Sequence, residues 1–288
     1  MKERIKETIA WIVYMLYRLV VKRESIKVHS VDETLDVLLN SEKSMVRFGD
    51  SDIVIIRGKK SHFQISSPEL IRDLKRIIGY QYEDLIVTIP NIFGDLNIYR
   101  KESQHFWRDH LLFFRKTYET YCNRNKEYYN TSISRFYLTL ADHSQCGRWV
   151  EKIKTIWKDK DIVIVEGENT HNGVGNDLLD GANSIERIIG PGRDAYAKIE
   201  DIYAECIKYP TNRLFLISLG SAAKPLTERL FLAGYRVIDI GNLDMEYEWY
   251  LRKSTEKEML EKHSVVGKEA NEKAGYCQYL DQIVARII

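Results

Sequence analysis

Arg47-Phe48-Gly49-Asp50-Ser51-Asp52 sets two carboxylates one residue apart, directly behind the short apolar lead Met45-Val46. Residues i and i+2 of an extended segment point the same way, so Asp50 and Asp52 are expected to converge on one hard cation. Gly49 lets a ligand come close to the backbone beside them. Magnesium or manganese held by only two carboxylates completes its shell with water and substrate phosphates, which points to a phosphorylated or nucleotide-linked substrate. Gly-Asp-Ser-Asp is also good turn chemistry, and spacing alone does not separate the two readings.

A second stretch, Glu166-Gly167-Glu168-Asn169-Thr170-His171-Asn172-Gly173-Val174-Gly175-Asn176-Asp177, combines glycines for close approach, Asn side chains for hydrogen bonds and an expected helix start. Those are the ingredients of a phosphate cradle. The Gly-Lys-Ser/Thr of a P-loop and the GxGxxG dinucleotide fingerprint are both missing, which disfavours an ATPase or a nicotinamide enzyme. Just downstream, Arg187 could offer its planar fork to a diphosphate or a carboxylate, or be an exposed helix cation. A third stretch, Asp239-Ile240-Gly241-Asn242-Leu243-Asp244-Met245-Glu246-Tyr247-Glu248-Trp249, crowds acids and aromatics together. One of Asp244, Glu246 and Glu248 could take the proton of an acceptor hydroxyl, while Tyr247 or Trp249 stacks on a sugar face. Spacing does not say which carboxylate acts.

The elements that must position these groups follow from periodicity. Ser30 with Glu33 reads as a capping box opening a helix through Leu39. Strands are expected over Met45–Phe48 and Leu85–Ile89, then over Asp161–Gly167, Arg213–Gly220 and Arg236–Gly241, the last three each running into a glycine turn. A helical insertion or lid is expected from about Glu102 to Lys126, and helical segments after the Gly167 and Gly220 turns, the second starting near Ala222. Strand, helix and strand at this spacing indicate right-handed crossovers and a Rossmann-like, mainly parallel sheet flanked by helices, with its ligand site at the carboxyl ends of the strands. Gly167, Gly220 and Gly241 then fall on one edge.

At 288 residues the chain can bury a full core without staples. Its 43 basic and 42 acidic side chains nearly cancel, so bulk charge gives no argument for a nucleic-acid partner. Cys122, Cys146, Cys206 and Cys277 show no metal-like spacing and suggest reduced thiols in the cytoplasm. Residues 1–28 read as a separate basic amphipathic segment ahead of a domain over 29–288. Ile9, Ile12, Val13, Leu16, Leu19 and Val20 are apolar, with Lys2, Arg4, Lys6, Arg18, Lys22 and Arg23 at the flanks. The apolar run is too short to span a bilayer. Docking on an anionic inner-leaflet surface fits, as does packing on the domain or a partner.

Taken together, these blocks resemble the GT-D-fold glycosyltransferases, a bacterial family that transfers sugars from nucleotide donors. Arg47-Phe48-Gly49-Asp50-Ser51-Asp52 is similar to the family's Arg-Phe-Gly-Asp-Gly-Glu, and Gly173-Val174-Gly175-Asn176-Asp177-Leu178 with Ser184-Ile185 and Arg187-Ile188 continues the likeness. Asp239 to Trp249 resembles Asp-Ile-Gly-His-x-Asp-x-Glu-Tyr-Glu-Trp, and Gly267-Lys268-Glu269-Ala270-Asn271-Glu272 resembles Gly-Lys-x-x-Asn-Glu. The resemblance implies a GT-D-type domain that moves a hexose, from UDP in the first instance, onto a glycan or glycoprotein acceptor. It implies manganese or magnesium at Asp50 and Asp52, and donor contacts from Arg47, Gly49, Asp50, Gly167, Glu168, His171, Gly173, Gly175, Asn176, Asp177, Arg187, Gly220 and Asn242. His171 stands where the family commonly has arginine, Asn242 where it has histidine, and Asp52 where it has glutamate. A metal-dependent phosphohydrolase or nucleotidyl transferase, or a non-catalytic protein of a polysaccharide-synthesis complex, would use the same groups differently.

Overall fold

Unbroken runs of β-branched and large apolar residues become strands buried on both faces. The computed structural model describes residues 2–20, 26–61, 63–79, 82–260, 262 and 275–288, with backbone alone at 2–5 and 17–20. Strand β1 (Ser44–Arg47) pairs with β2 (Leu85–Ile89), which pairs with the two-residue β3 (Tyr129–Asn130). On its other side β1 meets β7 (Arg236–Asp239), followed by β6 (Leu214–Ser218), β4 (Asp161–Gly167), β5 (Ser184–Gly190) and β8 (Ile283–Arg286). The order is β3-β2-β1-β7-β6-β4-β5-β8 and every pairing is parallel, so the carboxyl ends of the strands share one edge. The fold is the α/β type expected from the sequence.

Alternation along the strands feeds clusters on the two faces of the sheet. Met45, Ile86, Ile162, Ile164, Leu214, Leu216 and Ile238 face α2 (Val31–Leu39), α6 (Cys146–Ile156) and α9 (Leu243–Arg252). Their neighbours Val46 and Val87 face α3 (Asp50–Ile56), α4 (Pro68–Gly79) and α5 (Lys101–Tyr121), while Val163, Val165, Phe215, Ile217 and Val237 face α7 (Ile199–Cys206) and α8 (Ala223–Leu232). Sheets covered on both faces bury near-continuous apolar runs, which is why the C-terminal strands read so plainly. The capping box is present: Ser30 Oγ accepts from Glu33 N–H and the Glu33 carboxylate accepts from Ser30 N–H.

One crossover differs from expectation. The chain after Gly167 turns repeatedly without forming a helix and returns directly as β5, so the segment holding Arg187 is a strand. Glu186 and Arg187 interrupt its apolar run, and their partners lie elsewhere in the fold, so periodicity does not announce it. Strand β8 and the short α10 (Tyr276–Asp281) before it complete that side of the sheet.

Helix α1 (Lys2–Val20) packs on α5 through Glu7, whose carboxylate lies 2.7 Å from Arg108 Nη1, and through Trp11, whose ring lies 5.2 Å from the Arg108 guanidinium. Tyr14 is buried in the same seam. Ile9, Ile12, Val13 and Leu16, one stripe at helical spacing, face outward about half exposed. Among the described residues, no helix is long and apolar enough to cross a membrane.

Candidate active site

The carboxyl ends of β1, β4, β6 and β7 bring the singled-out stretches to one edge. Arg47 ends β1, and Gly49 starts α3 with Asp50 and Asp52 as its first and third residues. The two acids are therefore not neighbours on an extended segment. At about 100° per residue they leave the helix axis about 200° apart and do not form the converging pair expected from their spacing.

Their surroundings separate them further. Asp52 is buried; one carboxylate oxygen accepts from Gly49 N–H at 2.7 Å and the other from Ser221 Oγ at 2.6 Å. Lys224 Nζ lies 3.3 Å from Asp52 and 3.4 Å from the buried Asp239, so an ammonium already sits between these two carboxylates. Asp50 is only partly buried and makes no hydrogen bond or ion pair with any described residue. A hard divalent cation fits this arrangement through Asp50 alone, because magnesium-type sites are commonly completed by substrate phosphates around one or two carboxylates.

Arg47 is held across the edge from β7. Asp239 accepts from Arg47 N–H at 3.3 Å and from Gly241 N–H at 3.0 Å. The guanidinium lies against Gly241, whose φ is +51° and where a Cβ would stand 2.1 Å from Arg47 Nη2. Only glycine suits both conditions. Arg47 Nη1 is 3.4 Å from Thr131 Oγ1, and its Nε is buried without a partner. A buried donor left unpaired calls for an explanation, and an acceptor arriving at this edge would supply one.

The glycine stretch is a clasp around buried charge. Glu166, fully buried at the end of β4, accepts from the backbone N–H and the side-chain amide of Asn172, both at 2.8 Å. Arg187 spends its fork within the protein, on Glu166 at 2.6 Å, the Asn172 carbonyl at 2.9 Å and Gln282 at 2.7 Å, with Tyr279 stacked 4.9 Å away. The expectation that Arg187 offers itself to a diphosphate is corrected: it is 2% exposed and committed to these partners. Gly167 closes β4 and Glu168 turns back to Gly192 N–H. His171 takes a left-handed backbone with φ 48°, and its ring hydrogen-bonds the Lys262 carbonyl and meets Tyr279 edge-on. Gly173 and Gly175 are likewise left-handed.

Helix α9 carries the three acids on opposite faces. Asp244 accepts from Gly173 N–H at 2.8 Å and Asn176 Nδ2 at 2.9 Å, and Glu248 from Asn176 Nδ2 at 2.7 Å. Lys262 Nζ lies 2.7 Å from Asp244 and 2.8 Å from Glu248, fastening the loop to the helix. Glu246 points the other way, 0% exposed, with one oxygen accepting from Tyr137 N–H at 2.9 Å and Leu138 N–H at 2.6 Å. The three do not make one basic cluster, and Glu246 is corrected from candidate base to structural acceptor, since a sealed carboxylate cannot exchange a proton with an acceptor hydroxyl. Tyr247 and Trp249 are core residues, donating to Asp177 at 2.5 Å and to the Glu258 carbonyl at 3.0 Å, and are not sugar platforms. Asp177 also pairs with Lys154 at 2.6 Å, at the surface. Gly220 and Asn242 lie exposed on the edge, at the starts of the segments leading into α8 and α9.

Four residues of the site carry no sequence motif. Lys224 and Ser221 hold Asp52, Lys262 holds α9 to the glycine loop, and Arg135 lies 3.5 Å from Glu246, its charge opposed by Arg47 and favoured by Asp50. Each partner is far away in sequence, so no local spacing marks them. The Gly267–Glu272 block lies outside the described residues.

A parallel sheet with Arg47 and an unpartnered carboxylate, Asp50, at its carboxyl edge defines, among the described residues, an α/β protein of the class whose ligand site lies at that edge. The profile of the family described as "Glycosyltransferase GT-D fold" matches residues 45–268, and the chain belongs to that family. It is 40% identical over 225 residues to "Glycosyltransferase GlyD" of Streptococcus pneumoniae and 41% identical over 230 residues to "Probable glycosyl transferase Gly" of Streptococcus gordonii. Those matches cover 78% and 80% of this chain but only 28% and 34% of the relatives, so the chain spans about a third of their length. It is also similar to a solved structure described as "A New Glycosyltransferase (DUF1792) from Streptococcus sanguinis", with TM-score 0.84, 36% identity, and coverage of 91% of this chain and 100% of the other. A second, "The highly conserved domain of unknown function 1792 has a distinct glycosyltransferase fold", gives TM-score 0.85 at 33% identity over 92% and 96%.

Proposed function

We propose that this chain transfers a hexose from a nucleoside-diphosphate sugar, UDP-linked in the first instance, to a hydroxyl of a glycan or glycoprotein acceptor. The observation that carries the reading is the edge at the ends of β1 and β7, which holds the buried, unpartnered Arg47 Nε and, three residues on at the start of α3, the Asp50 carboxylate, without a partner among the described residues. Cleavage of the donor builds negative charge on the departing diphosphate, and fixed cations pointed at that charge stabilise the transition state. Arg47 supplies one. Asp50 is the residue that would hold manganese or magnesium, which when bound contributes Lewis-acid stabilisation of the leaving phosphates. Asp52 acts at one remove: by gripping Gly49 N–H it fixes the start of α3 and hence the aim of Asp50.

Acceptor activation is assigned to Glu248, whose side chain is 10% exposed against 1% for Asp244. The glycine loop with Gly173, Gly175, Asn176 and His171 forms the wall on which the donor rests. The outward stripe of α1, with basic residues before and after it in the sequence, is assigned to peripheral contact with the anionic inner face of the plasma membrane. A panel of nucleotide sugars read by mass spectrometry, with and without oligosaccharide acceptors, tests the reading. Acceptor-stimulated release of the nucleotide supports transfer; release at full rate without acceptor identifies a phosphohydrolase instead.

A further inference from the structure

On the side of β1 away from the glycine loop, the chain leaves β3 through a tight 3-10 turn, Thr131–Ser134, capped by the Asn130 side chain, which accepts from Ser132 N–H at 2.9 Å. Arg47 touches the first residue of that turn through Thr131 Oγ1, and Arg135 emerges from its last. The Arg135 side chain is partly buried, close enough to Arg47 for the two charges to oppose each other and to Asp50 for attraction. Its guanidinium makes a single hydrogen bond with the described residues, a loose one of 3.5 Å from Nη1 to Glu246 Oε2, and lies 6.0 Å from the Trp249 ring. The rest of the fork is unspent.

Glu246 explains why the fork stays in place. Its other oxygen is clamped by two backbone N–H groups, those of Tyr137 and Leu138, so the carboxylate cannot swing. A fixed carboxylate behind a guanidinium limits its rotation and leaves the far side of its planar donor set for another acceptor. Two guanidinium groups at this edge keep donors to spare, Arg47 Nε and most of the Arg135 fork. The phosphate oxygens of a diphosphate would accept from both and satisfy Arg47 Nε.

We infer that Arg135 is the second arm of a two-arginine clamp on the donor diphosphate, and that Glu246 is the positioning residue that aims it. The inference rests on the nucleotide-sugar reading and names a binding residue of that site. Fork-to-phosphate bonds are charge-assisted, and losing one costs about 10- to 100-fold in affinity. The test is calorimetry on the full chain with UDP, GDP, ADP, CDP and dTDP as probes and the matching nucleosides as phosphate-free controls. Arg135→Gln is expected to weaken the best diphosphate about 10- to 100-fold and to leave the nucleoside unchanged, with Arg135→Lys falling between because it keeps charge without the fork.

Glu246→Gln retains an acceptor for the two backbone N–H groups. It is expected to weaken diphosphate binding in the parent chain but to add nothing in an Arg135→Gln background. Wild-type affinity in Arg135→Gln, alongside a loss in Arg47→Gln, would overturn the clamp and leave the nucleotide-sugar reading standing. An equal loss from Glu246→Gln in both backgrounds would overturn the positioning role. If the parent chain binds none of the five diphosphates, both the clamp and the reading beneath it fail.

Discussion

Asp50 and Asp52 sit two residues apart and do different work. Asp52 is a buried hub joining Gly49, Ser221 and Lys224, and Asp50 is the open group at the ligand edge. Removing one member of a buried ion pair costs about 3 kcal/mol because the partner is left uncompensated. Asp52→Asn is therefore expected to lower unfolding free energy in urea by about that amount, whereas Asp50→Asn should leave it nearly unchanged. Equal stability losses would contradict the division of roles. Gly241→Ala probes the support under Arg47: its Cβ would fall 2.1 Å from Nη2 at a φ of +51°, so the arginine must move. Diphosphate affinity should fall about tenfold, in line with a lost charge-assisted bond; unchanged affinity would show that Arg47 is not held there for binding.

At the scale of elements, what could be read from sequence was what local patterns encode. The strands over Leu85–Ile89 and Asp161–Gly167 and the Ser30–Glu33 box match the structure because apolar runs and capping act within a few residues. Strand β5 was hidden because Arg187 breaks its pattern, and the charge is tolerated only through Glu166, Asn172 and Gln282. The acidic pair of Asp50 and Asp52 was visible, but not the helix start at Gly49 that turns the two apart. Helix α1 was legible as amphipathic; that Tyr14 and Trp11 face α5 while Ile9, Ile12, Val13 and Leu16 face out is a tertiary fact. Replacing the four outward residues by Ser should abolish co-sedimentation with phosphatidylglycerol vesicles at low salt while leaving binding to neutral vesicles at background. Undiminished co-sedimentation would count against membrane contact through α1.

For the molecule as a whole, the aromatic seam beneath the site makes stability depend on pH. His110 lies among Phe106, Trp107, Phe114 and Tyr118, and burial brings its pKa down to about 4, so it is neutral in the folded chain near neutral pH. In the unfolded chain it protonates near 6.5, so its contribution is complete above that value and is lost as pH falls toward 4. The difference is about 3 kcal/mol by linkage. Between pH 7 and pH 4 the parent chain should lose about that much more unfolding free energy than His110→Phe; parallel profiles would show that the histidine is not held neutral.

The carboxyl edge of the sheet is where family membership meets chemistry, since Arg47, Asp50 and the glycine loop all follow strands that end there. The most direct measurement is turnover of the best nucleotide-sugar donor in the presence of acceptor, compared between the parent chain and Asp50→Asn, each with manganese and with a chelator. Acceptor-dependent turnover that falls at least a hundredfold in Asp50→Asn and on chelation, with the fold intact by circular dichroism, is the result expected. Undiminished turnover in a folded Asp50→Asn chain would contradict the assignment of this edge as the donor site.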